Sequence, residues 1–140
     1  MGSQVIREAT EGDIPQLLAM GEEFITSAGH EFDAEVAEKT LRNLILSDTS
    51  VILVNDKCTA MIGGLVYQNF FGKGIVAQEL FWWASSNGLA LLQAFEDWAK
   101  DMGADKVMMI CLEKLSPERV GKIYMRRGYS PLEHSYVRAI

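Results

Sequence analysis

Glu79 is a carboxylate set inside an otherwise apolar run, Ile75 to Ala84, that reads as a strand. Burial disfavours the charged form of a carboxyl group and lifts its pKa toward values useful to a general base. The same residue could instead hold an edge or pleat position whose head reaches solvent or pairs with Lys or Arg. Gln78 would be the inward neighbour if the strand carries a bulge there. Just beyond, Ala84-Ser85-Ser86-Asn87 carries the strand pattern into a helix pattern beginning Gly88-Leu89-Ala90. A helix entered through small residues leaves backbone N–H groups free at its start, and those attract anions such as phosphate.

The elements that must position this junction follow from periodicity. Val5 to Glu8 is a short strand. Thr10 with Asp13 three residues on resembles a capping box opening a helix whose Ile14, Leu17, Leu18, Gly21, Phe24 and Ile25 share one face. Asp33 caps a second helix with Val36, Ala37, Leu41, Leu44 and Ile45 at helical spacing. From Val51 the period becomes that of strands. Val51 to Val54, a turn at Asn55-Asp56-Lys57, Thr59 to Gln68, a turn at Asn69 to Gly74, and Ile75 to Ala84 form an antiparallel meander.

After the junction, Gly88, Leu91, Leu92, Phe95, Trp98, Ala99 and Met102 mark one helical face, and Gly103 ends that helix. Lys106 to Leu112 reads as a buried strand, which a right-handed crossover places parallel to the strand before the helix. Ser116-Pro117-Glu118 starts a last helix that runs to Arg127 and stops at Gly128. Ser135 to Ile140 is patterned as a closing strand. With no repeat or linker, the expectation is one domain over residues 1–140, with Met1 to Ser3 set aside from the argument.

Composition narrows the class. Apolar residues at 49% and charged residues at 23% describe a globular chain rather than a disordered one. No stretch approaches the roughly 20 apolar residues of a membrane helix, so a cytoplasmic protein is expected. A net charge of −6 argues against a chain that coats nucleic acid. Two cysteines give neither a disulfide framework nor a metal site. Cys58 falls in a turn, and Cys111, inside an apolar run, reads as core. Exposed sheet edges make a homodimer reasonable.

The order of elements over nearly the whole chain resembles the GNAT N-acetyltransferases, which move acetyl from acetyl-CoA to an amine. Two motifs carry the likeness. Tyr124-Met125-Arg126-Arg127-Gly128-Tyr129 is similar to that family's Tyr-x-x-x-Gly-aromatic helix ending. Glu79-Leu80-Phe81-Trp82-Trp83, followed by Gly88-x-Ala90, is similar to its cofactor-binding strand and turn. The Glu-Leu-Phe-Trp-Trp string and the tail Gly128-Tyr129-x-Pro131-x-Glu133-x-x-Tyr136-Val137 are particularly similar to small GNAT proteins of bacteriophage genomes.

The resemblance implies an α/β fold with a central mixed, mostly antiparallel sheet of six to seven strands flanked by about four helices. It implies acetyl-CoA as co-substrate and direct attack by a primary amine on a small molecule or protein. The backbone of Phe81, Trp82 and Trp83 would hold the pantetheine arm, and Ser85, Ser86, Asn87, Gly88, Leu89 and Ala90 the pyrophosphate. The rings of Trp82 and Trp83 need no such role, since at least one of two consecutive strand residues faces a core.

Amine attack on a thioester requires a base, with Glu79 the candidate, and an acid for the departing thiolate. Tyr124 suits the second role, because an unperturbed phenol of pKa about 10 stays protonated at neutral pH. As a plain structural residue, it would sit on the buried face of an amphipathic helix. Glu133 and His134 are further proton-transfer candidates, and His30 a weaker one.

One departure from the family bears on function. The position that is usually Arg or Gln ahead of the phosphate glycines is Ser85, and the turn is short. Two charge-assisted hydrogen bonds to phosphate, each worth roughly 1.5–3 kcal/mol, amount to about two to four orders of magnitude in affinity. The alternative to an active enzyme is therefore a catalytically impaired GNAT-like scaffold that serves as a protein-binding module.

Overall fold

A computed structural model describes residues 5–112 and 115–140; Met1 to Ser3, set aside above, lie outside the described residues. The chain divides into two compact parts, Met1–Ile110 and Cys111–Ile140.

The first part is a five-stranded sheet in the order β1-β2-β3-β4-β5, with β1 at Ile6–Glu8, β2 at Ser50–Asn55, β3 at Met61–Gln68, β4 at Ile75–Trp83 and β5 at Lys106–Met108. Pairing is antiparallel from β1 through β4, and β5 joins β4 in parallel. The parallel step follows from the crossover through α3 (Gly88–Asp101), because a chain that returns through a helix arrives in the direction it left.

Alternation along the strands feeds two cores. Ile52, Val54 and Met61 pack with Leu17, Met20 and Leu41 of α1 (Ile14–Ser27) and α2 (Ala34–Leu46). Val51, Leu53, Ile62 and Ala77 pack with Leu91, Phe95 and Ala99 of α3. Each helix shows the face that its period announced, with two exceptions. Met20 joins the core unannounced, and Val36, in the first turn of α2, is 62% exposed.

Local chemistry fixes the helix starts. Asp33 accepts the Val36 N–H at 3.0 Å. Asp13 accepts the Thr10 N–H at 2.8 Å and also takes the Arg7 guanidinium through both oxygens, at 2.8 and 3.0 Å. Arg7 therefore fastens β1 to the start of α1, and through the Asp56 carbonyl at 3.2 Å to the β2–β3 turn.

In the second part, α4 spans Pro117–Arg126 and the chain reverses at Gly128, whose φ of 91° only glycine adopts without strain.

Four expectations need correction. The sheet has five strands among the described residues, not six to seven. Residues 135–140 form no strand, since strand-like alternation alone supplies no ladder partner, and Tyr136, Val137 and Ile140 are exposed. The strand expected over Lys106 to Leu112 stops at Met108. Cys111, read as core, is exposed, whereas Cys58 is buried in its turn, and that burial pushes its thiol up to about 11. No helix among the described residues is long and apolar enough to cross a membrane.

Candidate active site

β4 and β5 run together only from Val76↔Lys106 to Gln78↔Met108. At the next residue of β4 the ladder ends, and a side chain takes over: Glu79 Oε1 accepts the backbone N–H of Ile110 at 3.1 Å. No residue of β5 pairs with Glu79 through Trp83, so the outer edge of β4 is bare of any β5 ladder over the stretch that the motif singled out.

A bulge sits at the same place. Gly64 pairs with Glu79 and Gly63 with Phe81, which leaves Leu80 as the extra residue. Side chains reverse phase across it. Ala77 belongs to the α3 core, and Gly64, opposite Glu79, faces Phe95 on that side. Past the bulge, Phe81 and Trp83 pack on the α1/α2 side while Trp82 returns to the α3 side. Trp83 meets Phe24 edge-on at 5.8 Å. Both tryptophan rings thus serve packing, one on each face.

The two glycines of β3 make the bulge possible. A Cβ on Gly63 would overlap the Phe81 ring, and one on Gly64 would overlap the Phe95 ring and the Gln78 carbonyl. Gln78 is not the inward carboxamide that an early bulge would have given. It faces the other way from Glu79, is half-buried, and accepts the Tyr67 hydroxyl at 2.9 Å. That hydroxyl also lies 3.6 Å from Met108 Sδ.

Glu79 is 2% exposed and its pKa is raised from 4.5 to about 7, because burial penalises the carboxylate more than the Ile110 N–H stabilises it. A carboxyl group poised at neutrality can accept a proton and release it again.

The strand-to-helix turn has an unusual cap. Asn87 sits at the N-cap with φ 64° and ψ 13°, and its side chain makes no capping bond to α3. Its Oδ1 instead accepts from Asn55 Nδ2 at 3.1 Å and from Ser86 Oγ at 3.3 Å. The N–H groups of the first turn, at Gly88, Leu89 and Ala90, are left without a side-chain cap, which fits an anion. Ala84, Ser85 and Ser86 are exposed. No basic side chain occurs from Ala84 to Ala90, so the fit rests on backbone and hydroxyl donors.

Within the first part, then, Glu79, Phe81, Trp82 and Trp83 lie along one strand that runs into the turn of Ser85 to Ala90. Tyr124 belongs to the second part, where it is the buried residue of α4 and its ring lies 5.4 Å from that of Tyr129. Glu133 and His134 are exposed there, and Glu133 accepts the Ser135 hydroxyl at 3.2 Å. His30 is exposed in the first part. Sequence reasoning missed Leu80 as the bulge and Asn55 as more than a turn residue. The only hint of the bulge was the glycine pair Gly63-Gly64.

No protein-family model matches the chain, and no curated protein matches it. Solved structures do. A candidate acetyltransferase of Arthrobacter sp. FB24 superposes with a TM-score of 0.81 at 19% identity, over 99% of this chain and 98% of that one. A transcriptional regulator from Bacillus halodurans C-125 gives 0.80 at 15% identity, over 99% and 100%. A GNAT family acetyltransferase of Staphylococcus aureus gives 0.72 at 14%, again over 99% and 100%. Identities this low speak to the fold alone: the chain has the GNAT fold.

Proposed function

We propose that this protein is an N-acetyltransferase that transfers acetyl from acetyl-CoA to a primary amine by direct attack, with residues 1–140 acting as one GNAT-like domain. The observation that carries the reading is Glu79. A buried carboxyl group with a pKa of about 7 lies where β4 loses its β5 ladder, on the strand that leads into an uncapped helix start.

In this reading the amine nitrogen attacks the thioester carbonyl carbon, so a C–N bond forms and the C–S bond breaks. The proton lost by the amine goes to Glu79, and the departing sulfur takes one from the Tyr124 hydroxyl, a role that rests on the helix-ending motif. The β4 backbone at Phe81 to Trp83 would hold the pantetheine arm, and Ser85 to Ala90 the pyrophosphate. The absence of a basic side chain in that turn predicts weak cofactor binding.

Titration of acetyl-CoA into the protein by calorimetry tests the reading. Saturable heat in the micromolar range supports it, and no heat at high micromolar acetyl-CoA overturns it.

A further inference from the structure

We infer that Asn55, the last residue of β2, where the chain enters the β2–β3 turn, is a positioning residue for the phosphate-binding turn at Ser85 to Ala90; this rests on the acetyl-CoA reading given above. Asn55 is 8% exposed and its amide is fully engaged. Its Oδ1 accepts the N–H of Thr59 at 2.7 Å and of Ala60 at 2.9 Å, which closes the hairpin turn. Its Nδ2 donates to Thr59 Oγ1 at 2.7 Å and, across 32 residues of sequence, to Asn87 Oδ1 at 3.1 Å.

Asn87 occupies the position from which an asparagine ordinarily turns its oxygen onto the N–H groups of the first helical turn. The bond from Asn55 claims that oxygen instead. The consequence is twofold. The first-turn donors of α3 stay open to a ligand, and the left-handed backbone at Asn87 (φ 64°) is tied to a rigid hairpin rather than left to a mobile turn. The hairpin in turn is closed by the Cys58 N–H to the Asn55 carbonyl at 2.9 Å and braced by Arg7 on the Asp56 carbonyl. A stretch with no place in the family motif thereby sets the geometry of the one that has.

A double-mutant cycle tests this, with acetyl-CoA affinity and steady-state kinetics as readouts. Asn87→Gly removes the side chain and keeps a residue that tolerates positive φ. Asn55→Ala is expected to weaken acetyl-CoA binding about five- to tenfold in the wild-type background, the worth of one buried hydrogen bond, with KM rising and kcat held. In the Asn87→Gly background the same change is expected to do less than about twofold. If Asn55→Ala does not fold, Asn55→Ser keeps an acceptor for the hairpin N–H groups, is too short to reach Asn87, and takes its place in the cycle. Equal losses in both backgrounds, or no loss in either, overturn the inference and leave the acetyl-CoA reading standing. Failure of the wild-type protein to bind acetyl-CoA overturns both.

Discussion

Glu79 Oε1 accepts the N–H of Ile110 at 3.1 Å, immediately past the last ladder pair of β4 and β5, so a side chain continues a pairing that the backbone has abandoned. The bond favours the charged carboxylate, while the burial that accompanies it favours the neutral acid, and the balance between them is read by pH.

Folding stability should fall as pH rises through the Glu79 transition. The folded-state pKa of about 7 lies above the ordinary 4.5, so the contribution is complete below pH 4.5 and is lost as pH climbs through 7. The full swing is about 3 kcal/mol. Denaturant titrations at pH 5 and pH 8 should show this drop in the wild type and a much flatter profile in Glu79→Gln. In kinetics, kcat/KM should rise with pH around 7, and Glu79→Gln should lose that limb together with most of the rate.

Gly64→Ala should destabilise the protein by about 1–3 kcal/mol, because the new Cβ meets the fixed Gln78 carbonyl as well as the Phe95 ring. Gly63→Ala should cost less, since the Phe81 ring it meets can swing away. Thermal melts of the two variants check the order. A Gly64→Ala protein as stable as the wild type would contradict the packing at the bulge.

Asp13→Asn should lower stability at neutral pH by about 1 kcal/mol, a modest figure because the Arg7 side chain is 35% exposed. The Arg7 guanidinium holds the Asp13 carboxyl at about 2, below the ordinary 3.8. For a depressed carboxyl the contribution is present above the ordinary value and vanishes as pH falls through the folded one. The gap between wild type and Asp13→Asn should therefore close between pH 4 and pH 2 in acid unfolding.

Tyr124→Phe should lower kcat by about a hundredfold with little change in acetyl-CoA affinity, as expected for loss of a general acid. Its stability should fall only slightly, because the ring and its contact with Tyr129 remain. Full turnover by Tyr124→Phe would remove this residue from the acid role and leave the enzyme reading intact.

What could be read from residues alone was whatever is local and periodic. The order of elements, the Asp33 cap, the Gly128 stop and the parallel step through α3 all rest on signals confined to one turn or one strand. The burial of Glu79 was legible too, as a charge in an apolar run. The misses depend on partners distant in sequence. Leu80 is one apolar residue among many, and only the register of Gly63 and Gly64 singles it out. Asn55 looks like any turn asparagine until Asn87 is beside it. The strand expected over Lys106 to Leu112 makes its last ladder pair at Met108, and beyond it the Ile110 N–H goes to the Glu79 side chain; the pattern at Ser135 to Ile140 shows that alternation proposes a strand but cannot supply its neighbour.

The bulge at Leu80 makes β4 two short strands in opposite phase, joined end to end. The odd-numbered residues change sides across it: Ala77 answers to the α3 core, whereas Phe81 and Trp83 answer to the α1/α2 core and Trp82 to the α3 core. Deleting Leu80 would merge the halves into a single phase. Phe81, Trp82 and Trp83 would keep the sides they now occupy, because Glu79 and Phe81 already pair with the neighbouring Gly64 and Gly63, and the strand would lose only its bulge. The extra residue therefore sets where β4 bends, while the alternation on either side of it decides which core each ring enters.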